Sequence, residues 1–379
     1  MRGIGLLLLA LCIVSTAVAG EAPPPTRPRH VDEPHRVVEA IARLKLPGRK
    51  DRLRALETIK RFPAKAIPVL IKAARNDDAV FRARVANALA LVGKGDRDAL
   101  WALELLLKDA DTFVRREAIA ALVKAGDASH VAKIEPLLAD PQETVRADTV
   151  VAIADIEPAK AAARLTALLK HADARVRRTA LGELVKRKVP GLQRPLVLLL
   201  KDADPGVRGD AAAVLARVGD KSTLGTFVGL LSDRDAYVRV TAIDALKRHK
   251  ARRAVPKLIE RLDDPSQSVR EAAISALGVL GDRRAIPPLM GQLKAPQPKL
   301  RARAALALGF FRKRARAAVP SLMLLLNDDD QGVRQKADLA LRLILATSVG
   351  FQPAGSEEHR QEAILKWQQT WRASKGKRR

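Results

Sequence analysis

Residues 202–219 read DADPGVRGDAAAVLARVG. Counted from Arg208, positions −1, +3, +4, +6 and +7 are Val207, Ala211, Ala212, Val214 and Leu215. That spacing is the apolar stripe of an amphipathic helix. An Asp stands just ahead of it, where a carboxylate caps the first turn and suits the positive end of the helix dipole. Gly219 stands eleven residues after the Arg, at the expected C′ position.

The same phrase recurs along the chain. Arg82, Arg115, Arg146, Arg177, Arg208, Arg239, Arg270, Arg301 and Arg334 follow one another at 33, 31, 31, 31, 31, 31, 31 and 33 residues. Chance does not place nine arginines in that register. A degenerate earlier unit centres on Arg52, thirty residues before Arg82. Gly93, Gly126, Gly219 and Gly281 recur at the end of the helix.

The other half of each unit is a second helix, as in Ala254 to Leu262 and Ala285 to Leu293. Pro256, Pro287 and Pro288 fall near its start, where amide groups lack intrahelical acceptors in any case. Each unit is thus helix A, an acidic turn, helix B and a basic turn. One unit cannot bury its apolar face alone, whereas a stack can. Aromatic residues are 3% of the chain, so the core is expected from Ala, Leu, Val and Ile.

Read as D-x-D-x-x-V-R-x-x-A-x-x-A-L-x-x-x-G, the 202–219 stretch resembles the short bacterial HEAT repeat, also called the phycobilin-lyase-type HEAT-like repeat. Tetratricopeptide units run to 34 residues with another signature. The resemblance implies an all-α fold, an α-solenoid of about ten two-helix HEAT-like repeats over residues 36–346. It implies little about function. Leu345 to Trp371 is similar to a C-terminal extension on exported bacterial HEAT proteins. Trp367 and Trp371 are four apart and share a helix face, which suits capping of the last repeat within a segment 347–373, ahead of a basic tail at 374–379.

The N-terminus reads as a processing signal over residues 1–20. Arg2 precedes the apolar run Ile4 to Val14, and Ala17-Val18-Ala19 is a small-x-small cleavage site, the layout of a secretory signal peptide. Export to a periplasmic or extracellular space is expected. A lipoprotein at Cys12 and an uncleaved anchor are the lesser alternatives, since Leu11 stands where a lipobox needs a small residue. Residues 21–35 carry five prolines and read as an extended spacer. His30 and His35 with Asp32 and Glu33 fall in it as ordinary spacer polarity. Cys12 is the lone cysteine, so disulfide and Cys–metal chemistry are excluded for the mature chain.

The recurring Arg is read as structural. Asp at −4 or −6 occurs in eight of the nine units, including Asp111, Asp140, Asp173, Asp204, Asp235 and Asp328. An Asp–Arg ladder is expected to hold repeat to repeat, since the guanidinium fork matches a carboxylate. Arg82, Arg115, Arg146, Arg177, Arg208, Arg239, Arg270 and Arg334 are its members. The Arg301 unit reads Ala295-Pro296-Gln297-Pro298-Lys299-Leu300-Arg301 and has no acid at either position. Arg301 is therefore expected to pair with an acid of the preceding unit or to stay free for a ligand.

The formal net charge is +27. Residues 186–316 hold 28 Lys and Arg against 12 Asp and Glu, and residues 21–185 hold 30 against 23. The excess clusters where helix B leads into the next unit. The candidate contact set is Lys186, Arg187, Lys188, Lys247, Arg248, Lys250, Arg252, Arg253, Arg283, Arg284, Arg301, Phe310, Arg312, Lys313, Arg314 and Arg316, with Phe311 beside it. Cations suit helix C-termini. Arg252, Arg253, Arg314 and Arg316 fall instead near the start of the following helix, where the dipole disfavours them.

No catalytic, cofactor or metal residue is assigned. None of the six histidines is followed by Glu, so the His-Glu pairs of deoxyhypusine hydroxylases are absent, as are H-E-x-x-H and phosphate-loop motifs. The expectation is a monomeric, non-catalytic extracytoplasmic scaffold for a protein partner, with an acidic partner the one that the charge favours. The alternatives are a binder of an anionic polymer (polysaccharide, nucleic acid or acidic lipid surface) and an accessory of the phycobilin-lyase type.

Overall fold

The computed structural model describes residues 33–376, and all of their regular structure is helical. The stretch read as a processing signal, almost all of that read as spacer, including His30 and Asp32, and residues 377–379 lie outside the described residues. The first helix, Glu33–Arg43, begins inside the stretch read as spacer. The last, Glu357–Gly376, runs on into the stretch read as basic tail.

Ten helix pairs follow in order. The degenerate Arg52 unit is a full member, with helices Glu33–Arg43 and Arg49–Arg61. B helices such as Ala79–Val92, Pro205–Val218 and Gln267–Leu280 are continuous and lie one against the next. Their stripe forms the core: Val269, Ala273, Ile274, Ala276 and Leu277 are all fully buried. Several A helices are shorter than the sequence pattern predicts. Ala254 to Leu262 divides into a 3-10 turn Arg252–Ala254, a helix Val255–Glu260 and a second 3-10 turn Arg261–Asp263. Pro256 starts the helix, and the tighter turns satisfy backbone groups that so short a helix leaves over.

The left-handed C′ position is distributed differently from the glycine pattern. Only Gly281 of the four recurring glycines has positive φ. Gly93, Gly126 and Gly219 hold ordinary φ and stand where a Cβ would meet a leucine carbonyl at 2.6–2.7 Å. Lys188, Lys250, Arg312 and Ala346 take the left-handed position in other units, at φ 51–56°.

The recurring Arg ties the stack together in two directions. In every unit Nη1 donates to the carbonyls six and five residues earlier, as Arg208 does to Asp202 and Ala203, and Arg52 to Leu46 and Pro47. Nε and Nη2 form a fork toward the following unit. Arg82 holds Asp109, Arg115 holds Asp140, Arg177 holds Asp202, Arg208 holds Asp233 and Arg239 holds Asp264, each with two bonds of 2.6–2.9 Å.

The acids at −4 and −6 therefore do different work. Those at −6 are the rungs. Those at −4, including Asp111, Asp173, Asp204 and Asp235, cap their own helix by accepting first-turn N–H bonds. Arg301 pairs forward with Asp328 through bonds of 2.7 and 2.8 Å, not backward, and its fork is not free. The loss of the acid at 295 falls on Arg270 instead, since each rung reaches 25 or 27 residues ahead. Arg146 faces His171 at the rung position and reaches the capping Asp173 at 3.2 Å. Arg334, in the last unit, donates from Nε to the Pro353 carbonyl of the C-terminal segment.

That segment seals the end of the stack. Trp367 is fully buried and its Nε1–H donates to Asp338 Oδ1 at 3.2 Å. Trp371 lies under the Arg316 guanidinium at 5.0 Å, and Arg316 also donates to the Ser374 carbonyl and hydroxyl.

Candidate functional site

The basic turns occupy the edge where each B helix ends, and the structure sorts their cations into two groups. The first group has internal partners. Lys186 and Arg187 bond Glu183, and Arg187 also bonds Asp155. Lys247 bonds Asp244 at 2.6 Å, and Arg284 bonds Asp282 at 2.7 Å. The Arg284 bonds and the Arg284 N–H hold the Asp282 carboxyl at about 2, well under its ordinary value.

Three of the four cations that the helix dipole leaves unexplained join this group. Arg252 Nε donates to the Leu280 carbonyl at 3.3 Å and Arg314 Nη1 to the Gly281 carbonyl at 3.1 Å. Arg252 thus satisfies the C-terminal end of its own unit's B helix, and Arg314 that of an earlier unit, where a cation is favoured. Arg316 holds the C-terminal helix. These contacts run from one helix to the end of another, so the dipole of each residue's own helix does not account for them.

The second group consists of Lys188, Arg248, Lys250, Arg253, Arg283, Arg312 and Lys313. They are exposed, and none has a side-chain partner among the described residues. Lys188, Lys250 and Arg312 also sit in the left-handed region, which costs a side-chain-bearing residue about 1–2 kcal/mol. A glycine would relieve that cost. The cation close to the helix C-terminus offsets part of it.

Between the ends of the Arg301 and Arg334 B helices lies a hollow of about 310 Å³. Arg312, Lys313 and Arg314 rim it, with Phe311, Leu343 and Ala346 below. Phe311 is fully buried and belongs to the core, while Phe310 is half exposed on the B-helix face.

Two further surfaces were not singled out by sequence. On the A-helix side, Trp101 and Leu105 are 49% and 46% exposed and border a hollow of about 280 Å³ with Lys108, Lys133 and Pro136. Trp101 is the only tryptophan inside the repeats, a signal the sequence did carry. Between the Arg115 and Arg146 B helices, Arg116, Glu117, Asp148, Val151 and Asp155 line a groove of about 360 Å³. Among the described residues no group of three His, Cys, Asp or Glu could hold a metal ion, and no helix is long and apolar enough to cross a membrane.

An array of helix pairs stapled by one Arg per unit defines an α-solenoid. The profile for HEAT repeats matches residues 37–123, 99–186, 192–278 and 255–342, and the chain belongs to the HEAT-repeat family. No curated protein matches it in sequence. Among solved structures, the karyopherin Kap121p bound to Nup53p is 14% identical with TM-score 0.51, over 83% of this chain and 46% of that one. Kap121p bound to Pho4p is 14% identical with TM-score 0.52, over 84% and 46%. Kap95p, from work on its binding to RanGDP, is 13% identical with TM-score 0.52, over 88% and 55%. The chain thus spans about half the length of these karyopherins, and the likeness is one of fold.

Proposed function

We propose that this chain is a non-catalytic extracytoplasmic scaffold that holds a protein partner, with the basic edge as its contact surface. The observation that carries the reading is the sorting of cations along that edge. Half of its candidate cations are tied to carboxylates, helix ends or the C-terminal helix. Lys188, Arg248, Lys250, Arg253, Arg283, Arg312 and Lys313 stand exposed beside them without such ties. Like charges placed together raise each other's energy unless a partner of opposite sign covers them. An acidic protein surface running along the edge would meet them in sequence. The signal-like N-terminus supports the extracytoplasmic setting. Kap121p, of similar fold, is seen bound to Nup53p and to Pho4p.

The test compares the chain with a variant carrying Arg253→Glu, Arg283→Glu and Lys313→Glu, positions that hold no other part of the fold. Each is immobilised, exposed to the envelope fraction and washed at two salt concentrations. The reading expects a protein retained by the parent at both washes and lost by the variant. Equal retention by the two chains overturns it. A nucleic acid or polysaccharide retained only at low salt would replace the protein partner with an anionic polymer, whose binding falls steeply with salt.

A further inference from the structure

The rung column of the ladder runs Asn76, Asp109, Asp140, His171, Asp202, Asp233, Asp264, Ala295 and Asp328. Eight of these side chains accept the backbone N–H two residues on, at 2.8–3.1 Å. Ala295 cannot. Its backbone nevertheless keeps the shape of the rung turn, with φ −59° and ψ 142°, against −61° and 141° at Asp264 and −61° and 144° at Asp328. Opposite it, Arg270 is oriented like every other rung arginine, with Nη1 on the Asp264 and Pro265 carbonyls. Three donors therefore converge where the neighbouring rungs place a carboxylate: Arg270 Nε, Arg270 Nη2 and the Gln297 N–H. None of the three has a partner among the described residues. Lys294 and Lys299, both exposed, flank the turn and carry no ion pair among the described residues.

The chain itself shows what such a constellation binds. At Asp264 the same fork and the same backbone N–H hold one carboxylate with three bonds of 2.7–3.0 Å. We propose that the Arg270 fork and the Gln297 N–H form a receptor for a single carboxylate supplied by a partner protein segment, with Lys294 and Lys299 drawing that segment in. The proposal rests on the reading of a protein-binding solenoid and places the anchor on the acidic-turn edge, across the stack from the basic edge. A planar carboxylate matches the fork in both bonds.

The deciding variant is Ala295→Asp, which supplies the missing carboxylate from within. It should raise the melting temperature, so any loss of binding cannot come from unfolding. The probes are two fluorescein-labelled peptides, hexaglutamate with an amidated end and hexaglutamine with a free C-terminus, titrated into the full chain at low ionic strength and followed by anisotropy. The expected result is that Ala295→Asp and Arg270→Ala each weaken binding of one or both peptides about thirtyfold or more. Lys72→Ala, exposed on helix Pro63–Ala73 and outside both edges, should leave it unchanged. Loss with hexaglutamate assigns a side-chain carboxylate, and loss with the free-ended peptide assigns a chain terminus. Affinities that ignore Ala295→Asp for both peptides, or that Lys72→Ala weakens equally, overturn the proposal. An envelope partner retained undiminished by Ala295→Asp also overturns the anchor and leaves the scaffold reading standing. Peptide binding abolished by Ala295→Asp with no partner captured by the parent does the reverse.

Discussion

Asp264 keeps 1% of its side-chain surface exposed and Arg239 keeps 9%. At such burial neither charge is tolerable alone, and the pair persists because every donor and lone pair toward the interface is used. Removing one member leaves the other uncompensated, which costs about 3–5 kcal/mol. Arg239→Ala should lower stability by that amount in urea titration. Arg116→Ala should cost less than about 1 kcal/mol, because Arg116 and Asp148 are 43% and 36% exposed and water already screens them. Equal losses at the two sites would show that the buried forks do not hold the stack. The recurrence of Arg was legible in the sequence, and so was its structural bias. Its direction was not. Two columns of Asp were pooled, although one caps helices and the other bridges units. The bridge spans 25 or 27 residues, a distance at which local reading has no neighbour to offer. The missing acid stands in the Arg301 unit, yet the arginine that lacks it is Arg270.

The B helices meet at backbone distance in the last units. A Cβ on Gly278 would lie 2.9 Å from the Ala307 Cβ and 3.0 Å from its Cα. Neither atom can swing aside, so Gly278→Ala should destabilise by about 1–3 kcal/mol through overpacking. Gly182 lies in helix Ala174–Lys186, with nothing within 4 Å of its added Cβ. There the same change should stabilise by about 0.5–1 kcal/mol, because alanine loses less backbone freedom. Thermal melts of the two variants should therefore move in opposite directions. Helix positions and the buried stripe could be read from spacing, because a 3.6-residue period is local. The division of the A helices could not, since it depends on how prolines and tight turns share out the last carbonyls. The Trp367 and Trp371 pair was legible as one face, but burial of Trp367 against Asp338 required the docked helix.

Across the whole molecule the rungs make stability depend on pH in a defined direction. Burial alone would raise the carboxyls of Asp109, Asp140, Asp233 and Asp328. The Arg forks and the backbone N–H bonds outweigh it and hold all four below the ordinary value. A lowered folded-state value gives stability that is complete above the unfolded value of about 3.9 and is lost as pH falls through the folded values. Each protonated rung uncouples two neighbouring units, and in a stack whose stability is a sum over interfaces the losses accumulate. The net charge of +27 grows more positive at the same time and adds self-repulsion. Asp338 acts in the opposite sense. Burial raises its carboxyl, against the pull of Arg342 and the Trp367 N–H. Its contribution is complete below the unfolded value and is lost as pH rises through the raised one. Urea midpoints measured from about pH 3 to about pH 8 should fall steeply below about pH 4 and decline slightly above it. Asp338→Asn should flatten that slight decline and leave the acid limb in place, because an amide still accepts the Trp367 bond and carries no charge to bury. An acid limb that vanishes with Asp338→Asn would contradict the rungs as its source.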